Sequence, residues 1–223
     1  MDLSFEPGTF SGWAPLFPLP EVVLLPGALL PLHVFEPRYR LMLKDALEGE
    51  KLIAMALLLP GYEEGYQGAP AIDEWVGLGR IVAHEPLPDG RSNLLLAGLR
   101  RARVLEEDRT RPYRKGRLEV LADDASSLGD EERARLRAEV VDLLARCPSE
   151  LVGDPVRLGV ALKMTQLALG SLVDLAADTL KLGPAEKVAL LHEPRVGERA
   201  GKLAAMLRAR TGTGRYPARF SRN

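Results

Sequence analysis

Short aliphatic runs broken by proline dominate the first part of the chain. Between residues 16 and 40 five prolines interrupt them: Pro18, Pro20, Pro26, Pro31 and Pro37. Each fixes φ and lacks a backbone donor, so one long helix cannot span the stretch. The residue before each is pushed towards extended backbone. The pattern predicts two short strands, near 22–25 and 29–34, joined at Pro26-Gly27, and then a helix opening at Pro37. Tyr39, Leu43, Ala46 and Leu47 recur at helical spacing, and Gly49 supplies a stop. Residues 1–15 mix Gly, Pro, Ser and the aromatics Phe5, Phe10 and Trp13, which reads as a surface arm.

Further along, residues 52–59 are apolar at every position, the mark of a strand covered on both faces and stopped by Pro60-Gly61. A loop of unusual length follows at 60–74, carrying Tyr62 and Tyr66 among four acids. Residues 75–84 alternate, with Gly77 and Gly79 on one side; glycine inside a strand marks a bulge or a close backbone approach. Pro88-Asp89-Gly90 turns the chain into a partner strand over 93–105, in which Arg101 and Arg103 alternate with Ala102 and Val104 as if one sheet face were wet. Residues 113–121 add one more strand. These strands follow one another too closely for helical crossovers, so the sheet is expected to be mostly antiparallel and curled into a barrel.

The composition changes at Ala122-Asp123-Asp124-Ala125-Ser126-Ser127, beyond which the periodicity is helical. Asp130 is placed to cap a helix whose Leu136, Val140, Leu143, Leu144 and Cys147 share a face before Pro148. Residues 156–169 form a second, with Leu158, Leu162, Thr165 and Leu169 aligned. Ser171-Leu172-Val173-Asp174 has the form of a capping box opening a third. Gly183-Pro184-Ala185-Glu186 closes one helix and opens another, and 199–210 is the last. The division expected is 1–122 as a barrel domain, 123–210 as a helical bundle, and 211–223 as a basic flexible tail. The fold class is α+β.

Charge and cysteine content narrow the chemistry. Thirty Lys and Arg against 31 Asp and Glu leave a net charge of −1, which favours neither nucleic acid nor membrane as a partner. A single cysteine, Cys147, excludes an internal disulfide and a thiolate-rich zinc site. The N-terminus lacks the pattern of a signal peptide. No apolar run approaches the roughly 18 residues of a membrane span, so the expected location is the cytoplasm. His33, His84 and His192 lie in different elements without ligand-like spacing. Gly197 to Leu203 resembles a phosphate loop but has the wrong glycine spacing and no Ser or Thr after Lys202. No nucleophile elbow is present. Catalytic residues, metal ligands and cofactors are therefore not expected. Eight cations between Arg100 and Arg117 could contact phosphates as an RNA-binding ribbon. Interspersed Glu106, Glu107 and Asp108 favour a solvated sheet face, with Arg101 and Arg103 across from acids such as Glu119.

Four ordered motifs carry a family likeness: Phe-Pro-Leu-Pro-Glu-Val-Val-Leu-Leu-Pro-Gly (17–27), Leu-Pro-Leu-His-Val-Phe-Glu-Pro-Arg-Tyr-Arg (30–40), Val-Gly-Leu-Gly-Arg-Ile-Val (76–82) and Asn-Leu-Leu-Leu-Ala-Gly-Leu-Arg-Arg (93–101). Together with Leu175-Ala-Ala-Asp and the segment 184–191, they resemble the amino-terminal domain of the Lon proteases, over roughly residues 15–210. The resemblance is greatest to stand-alone bacterial proteins built on that domain. It implies a PUA-like pseudo-barrel followed by a helical bundle. It also implies a non-enzymatic module that binds exposed or unfolded polypeptide segments, as an adaptor or chaperone-like holder serving a protease or chaperone. The ATPase and Ser–Lys peptidase domains of full-length Lon have no counterpart in these motifs. An apolar groove between barrel and helices, rimmed by the 60–74 loop, is the expected site, with Tyr62, Tyr66 and Trp75 supplying contact area and Phe35, Glu36, Arg38 and Tyr39 beside it. Strand addition at an open barrel edge is the other expected mode. PUA-like barrels also keep the RNA-binding alternative open.

Overall fold

The computed structural model describes residues 5–66, 68–164 and 166–211. Thr165 of the predicted helical stripe and the basic tail from residue 212 onward lie outside them. Contacts divide the chain into two compact units: residues up to Ala122 together with Gly183–Pro194, and Asp123–Leu182 together with the chain from Arg195 onward.

The first unit is a closed sheet. Its strands are β1 (Trp13–Leu19), β2 (Leu29–Val34), β3 (Leu52–Leu58), β4 (Ile72–Pro86), β5 (Ser92–Asp108) and β6 (Lys115–Leu121), with helix α1 (Pro37–Glu48) between β2 and β3. The order is β2-β5-β4-β3-β1-β6, and β5 also pairs with β6, which closes a barrel from β5, β4, β3, β1 and β6. All ladders are antiparallel except β1 with β3. The long β5 serves two neighbours in turn. Residues 92–97 pair with β2, and residues 101–108 pair with β6. Small residues line much of the barrel interior, where Ala14, Ala54, Ala56 and Ala102 pack with Leu16, Leu52, Val76, Leu78 and Leu118. Alternation sends Ile53 and Met55 to the opposite face, and they are buried there too, as the continuous apolar run requires.

Two expectations for the N-terminal segment are corrected. The surface arm ends early, because Trp13–Leu19 is a barrel strand and Phe5 is buried in the barrel core. Pro15 and Pro18 hid this strand. They fit because its ladders are split: residues 13–15 pair with β6, and residues 16–19 pair with β3. Each proline thus has a ladder partner on one side only, where a missing N–H is tolerated. The strand predicted at 22–25 is not one. Val23, Leu24 and Leu25 are buried but join no ladder. They cross over β4 and β5, and the glycines of those strands make room for them. A Cβ built on Gly77 would lie 2.0 Å from the Leu24 carbonyl oxygen, and one on Gly98 would lie 2.1 Å from that of Leu25.

The wet sheet face is corrected at Arg101 alone, since Arg103 stays partly exposed opposite Glu119. Arg101 is buried at 2 % exposure, and its Nε donates to the carbonyl of Leu191 at 3.3 Å. That carbonyl ends α5 (Pro184–Leu191), the helix that joins the first unit. A guanidinium at a helix C-terminus meets both an orphan carbonyl and the negative end of the dipole.

The second unit holds α2 (Asp130–Ala145), α3 (Pro155–Lys163), α4 (Leu169–Thr179) and α6 (Val196–Thr211). Asp130 is the first helical residue and not the cap, a place taken by Gly129. The helix predicted over 156–169 stops at Lys163, and α4 begins at Leu169, before the predicted box. Asp174 is therefore inside a helix. It is buried, and its Oδ1 lies 3.1 Å from Nε of the fully buried Arg199, which also bonds Asp123 at 2.8 Å. One guanidinium thus links α4, α6 and the segment that opens this unit.

Candidate functional site

Glu36, two residues past the end of β2, caps α1 by position, and Pro37 at the first turn fixes the helix start. This places Arg38 and Tyr39 on the first turn. The Arg38 Nε bonds Glu36 Oε2 at 3.0 Å, and both side chains are largely buried. The 59–71 loop brings Tyr66 onto this pair. Its phenol donates to Glu36 Oε1 at 3.0 Å, and its carbonyl accepts from both terminal nitrogens of Arg38 at 3.3 Å. The guanidinium carbon lies 4.7 Å from the Tyr39 ring centroid and 5.1 Å from that of Tyr66, within cation–π range of both. Tyr39 rests in turn on Phe17 at 4.5 Å, and Tyr62 meets Tyr66 edge-on at 6.3 Å. The result is a continuous run of contacts through Phe17, Tyr39, Arg38, Tyr66 and Tyr62.

The loop is tied more tightly at its base. Leu59 N–H donates to the Ala71 carbonyl at 3.0 Å, and Arg114 donates to the Pro70 carbonyl at 2.7 Å. Arg114 also forms a two-pronged pair with Glu107 at 2.6 and 2.7 Å. Burial raises the Glu107 carboxyl, but the bonds from Arg114 and Arg109 outweigh it and hold the group below its usual range. Beneath the loop a cavity of about 30 Å³ remains, bordered by Pro18, Tyr39, Leu58 and Pro112 among others. Burial pushes the Tyr39 phenol up to about 12, and burial followed by the bond to Glu36 raises that of Tyr66.

The structure thus brings Glu36, Arg38, Tyr39, Tyr66 and Tyr62 together. Phe35 and Trp75 belong elsewhere. Phe35 is 58 % exposed and stacks on His33 at 6.1 Å. Trp75 stacks on His192 at 5.3 Å, whose Nε2 is 2.8 Å from Asp73 Oδ1, and the Arg103 guanidinium carbon lies 5.9 Å from the Trp75 ring centroid. Arg114 and Pro70 were not singled out by sequence. No spacing rule links them; only the closure of the loop does.

A second feature lies next to these contacts. β2 has β5 on one side and no strand of the sheet on the other. Gly98 N–H donates to the Ala28 carbonyl at 2.9 Å. Alternation along the strand then turns the backbone groups of Leu30, Leu32 and Val34 to β5 and those of Leu29, Pro31 and His33 outward. Leu29, Pro31 and His33 are exposed, and Phe35 continues the row. Beside them His33, Asn93 and Glu85 form a hydrogen-bonded chain across three strands at 2.8 and 3.0 Å. A groove of about 590 Å³ runs between α1 and the β4–β5 turn, with Leu41, Leu43 and Leu47 on one wall and His84 and Gly90 on the other.

The basic ribbon is largely neutralised. Arg101 is buried, Arg103 pairs with Glu74, Arg109 and Arg114 with Glu107, Arg111 with Asp45, and Arg117 with Glu106. Such pairing removes the focused field that a phosphate backbone requires, and the RNA reading gains no support. Among the described residues no group of His, Cys, Asp and Glu could hold a metal ion, and no helix is long and apolar enough to cross a membrane.

A small closed barrel with an attached helix, followed by a helical unit, is a PUA-like architecture. The chain belongs to the LON substrate-binding domain family, whose model, described as "ATP-dependent protease La (LON) substrate-binding domain", matches residues 13–209. It is 28% identical over 196 residues to the Lon protease of Parabacteroides distasonis, covering 86% of this chain and 23% of that protein. The Lon protease of Dictyoglomus thermophilum is 29% identical over 201 residues, again with 86% of this chain and 24% of the relative covered. The chain thus spans about a quarter of the length of these relatives. The match is to their substrate-binding domain and not to their protease or ATPase domains, so what is matched is non-catalytic. Among solved structures, the Lon N-terminal domain protein from Xanthomonas campestris superposes with a TM-score of 0.62 at 26% identity, covering 86% of this chain and 97% of that one. The N-terminal domain of Mycobacterium avium complex Lon protease shares the fold, with the same TM-score at 20% identity, covering 91% and 99%.

Proposed function

We propose that this domain binds exposed or unfolded polypeptide segments without catalysis, as an adaptor or chaperone-like holder that presents them to a protease or chaperone in the cytoplasm. The outer edge of β2 carries the reading. An extended segment laid along it gains main-chain hydrogen bonds that do not depend on sequence, which suits a binder of many clients. Exposed Leu29 and Phe35 add apolar contact at either end of the strand. Both substrate-binding family membership and the exposed edge support the same conclusion.

The test is capture of a reduced, carboxymethylated protein that cannot refold. His33→Pro removes an outward donor, and Leu29→Lys places a charge on the edge. Each is expected to weaken capture about tenfold or more, a change equivalent to about 1.4 kcal/mol, while the melting temperature stays close to wild type. Capture unchanged by both substitutions would refute the edge as the binding site.

A further inference from the structure

We infer that Glu36, Arg38 and Tyr39 form a tyrosine-selective side-chain seat, that the chain's own Tyr66 occupies it, and that a tyrosine of a bound polypeptide enters by displacing Tyr66. The inference rests on the reading above and gives it a second, side-chain-specific contact.

The seat satisfies every part of a tyrosine. Arg38 holds Glu36 by one carboxylate oxygen at 3.0 Å, so the other, Oε1, is fixed in place and takes the phenol. The Arg38 guanidinium carbon lies within cation–π range of both the Tyr39 ring, at 4.7 Å, and the seated tyrosine ring, at 5.1 Å. The same guanidinium donates to the main-chain carbonyl of the tyrosine it holds. Ring, hydroxyl and backbone are all recognised. Such a complete set of contacts defines the chemistry of the occupant, whichever chain supplies it.

Tyr66 can leave the seat without releasing the base of its loop. The base is held separately, by bonds of 2.7 and 3.0 Å at Pro70 and Ala71, while Tyr66 is held at the seat by its 3.0 Å phenol bond to Glu36 and the 3.3 Å bonds from Arg38. Tyr66 lies in no ladder and is only half-buried. While it is seated, its ring and hydroxyl take up the contacts that an incoming tyrosine would need. The seat therefore opens only by exchange. It begins two residues beyond β2, so a client strand lying on that edge would pass next to it.

The selectivity follows from Glu36. Phenylalanine would bury the free carboxylate oxygen without a donor, and sites built to bond a hydroxyl discriminate strongly against its absence. Phosphotyrosine would bring like charges together.

The experiment titrates the full chain with capped peptides carrying a central tyrosine, phenylalanine or phosphotyrosine between glycines. Wild type and Tyr66→Ala are compared by calorimetry. Tyr66→Ala is expected to bind the tyrosine peptide about tenfold more tightly than wild type and to prefer it over the other two about tenfold. Adding Glu36→Gln should erase the preference over phenylalanine. If Tyr66→Ala does not fold, Tyr66→Phe, which keeps the ring and loses the bond to Glu36, should bind the tyrosine peptide more tightly than wild type. Equal binding of all three peptides by the vacated seat, or no gain over wild type in either variant, would overturn the inference. If capture of unfolded protein along β2 persists in that case, the strand reading stands while the tyrosine seat falls.

Discussion

Gly77 of β4 faces the carbonyl of Leu24 so closely that a methyl group on its α-carbon would sit 2.0 Å from that oxygen. No side-chain rotation relieves such a contact, because the opposing atom is backbone. Gly98 stands in the same relation to Leu25. Gly77→Ala and Gly98→Ala should each destabilise the first unit by about 1–3 kcal/mol or more, the range for overpacking. A fall in melting temperature of roughly 2–4 °C per kcal/mol is expected by differential scanning calorimetry. Gly159 within α3 provides the contrast, since a Cβ there meets nothing within 4 Å. Gly159→Ala should stabilise by about 0.5–1 kcal/mol through helix propensity. Equal effects at Gly77 and Gly159 would show that the crossing segment is not pressed on the sheet.

The buried guanidinium of Arg199 should be far more sensitive than any surface pair. Removing one partner of a buried ion pair costs about 3–5 kcal/mol, because the other charge is left without compensation. Arg199→Met removes this partner from the buried Asp174 and should lower the stability of the second unit by that order. The double change Arg199→Met with Asp174→Leu should recover part of the loss. Urea unfolding of the wild type and the two variants checks both points.

Alkaline stability should fall between pH 10 and 12. Burial, followed by the 2.5 Å bond to Asp45, pushes the Tyr113 phenol up to about 12, and burial does the same for Tyr39. In the unfolded chain these groups ionise near 10. Below that value the stabilisation is fully present. Above it the unfolded state gains by losing protons that the folded state keeps, and the loss is complete once pH passes 12. Melting temperatures across this range, with Tyr113→Phe showing a shallower decline than wild type, test the assignment.

Legibility varied along the chain for physical reasons. β3, α1 and the β4–β5 hairpin were visible because alternation, helical spacing and Pro-Gly stops all agree there. β1 was hidden by Pro15 and Pro18, whose placement depends on which neighbour each half of the strand pairs with. Residues 22–25 have the apolar, β-branched composition of a strand, yet their backbone meets glycine windows and not a ladder. Gly77 and Gly79 did announce a close approach, without saying by what. Arg101 read as wet because alternation cannot reveal a helix contributed from 83 residues further along, at Pro184. Asp174 looked like a cap because a buried carboxylate and a capping one have the same sequence signature. At the site, Glu36, Arg38 and Tyr39 are neighbours in sequence and were found together. Tyr66 joins them only because the loop ends meet at Leu59 and Ala71.

Pro31 gives the exposed edge of β2 a polarity of choice. Against a client strand the proline leaves one donor missing, a small defect in a run of main-chain bonds. Against the same edge of another copy, arranged antiparallel about Pro31, proline would face proline and the central rung would have no donor at all. The edge thus resists pairing with itself, which guards a protein with an exposed strand against dimerising through it.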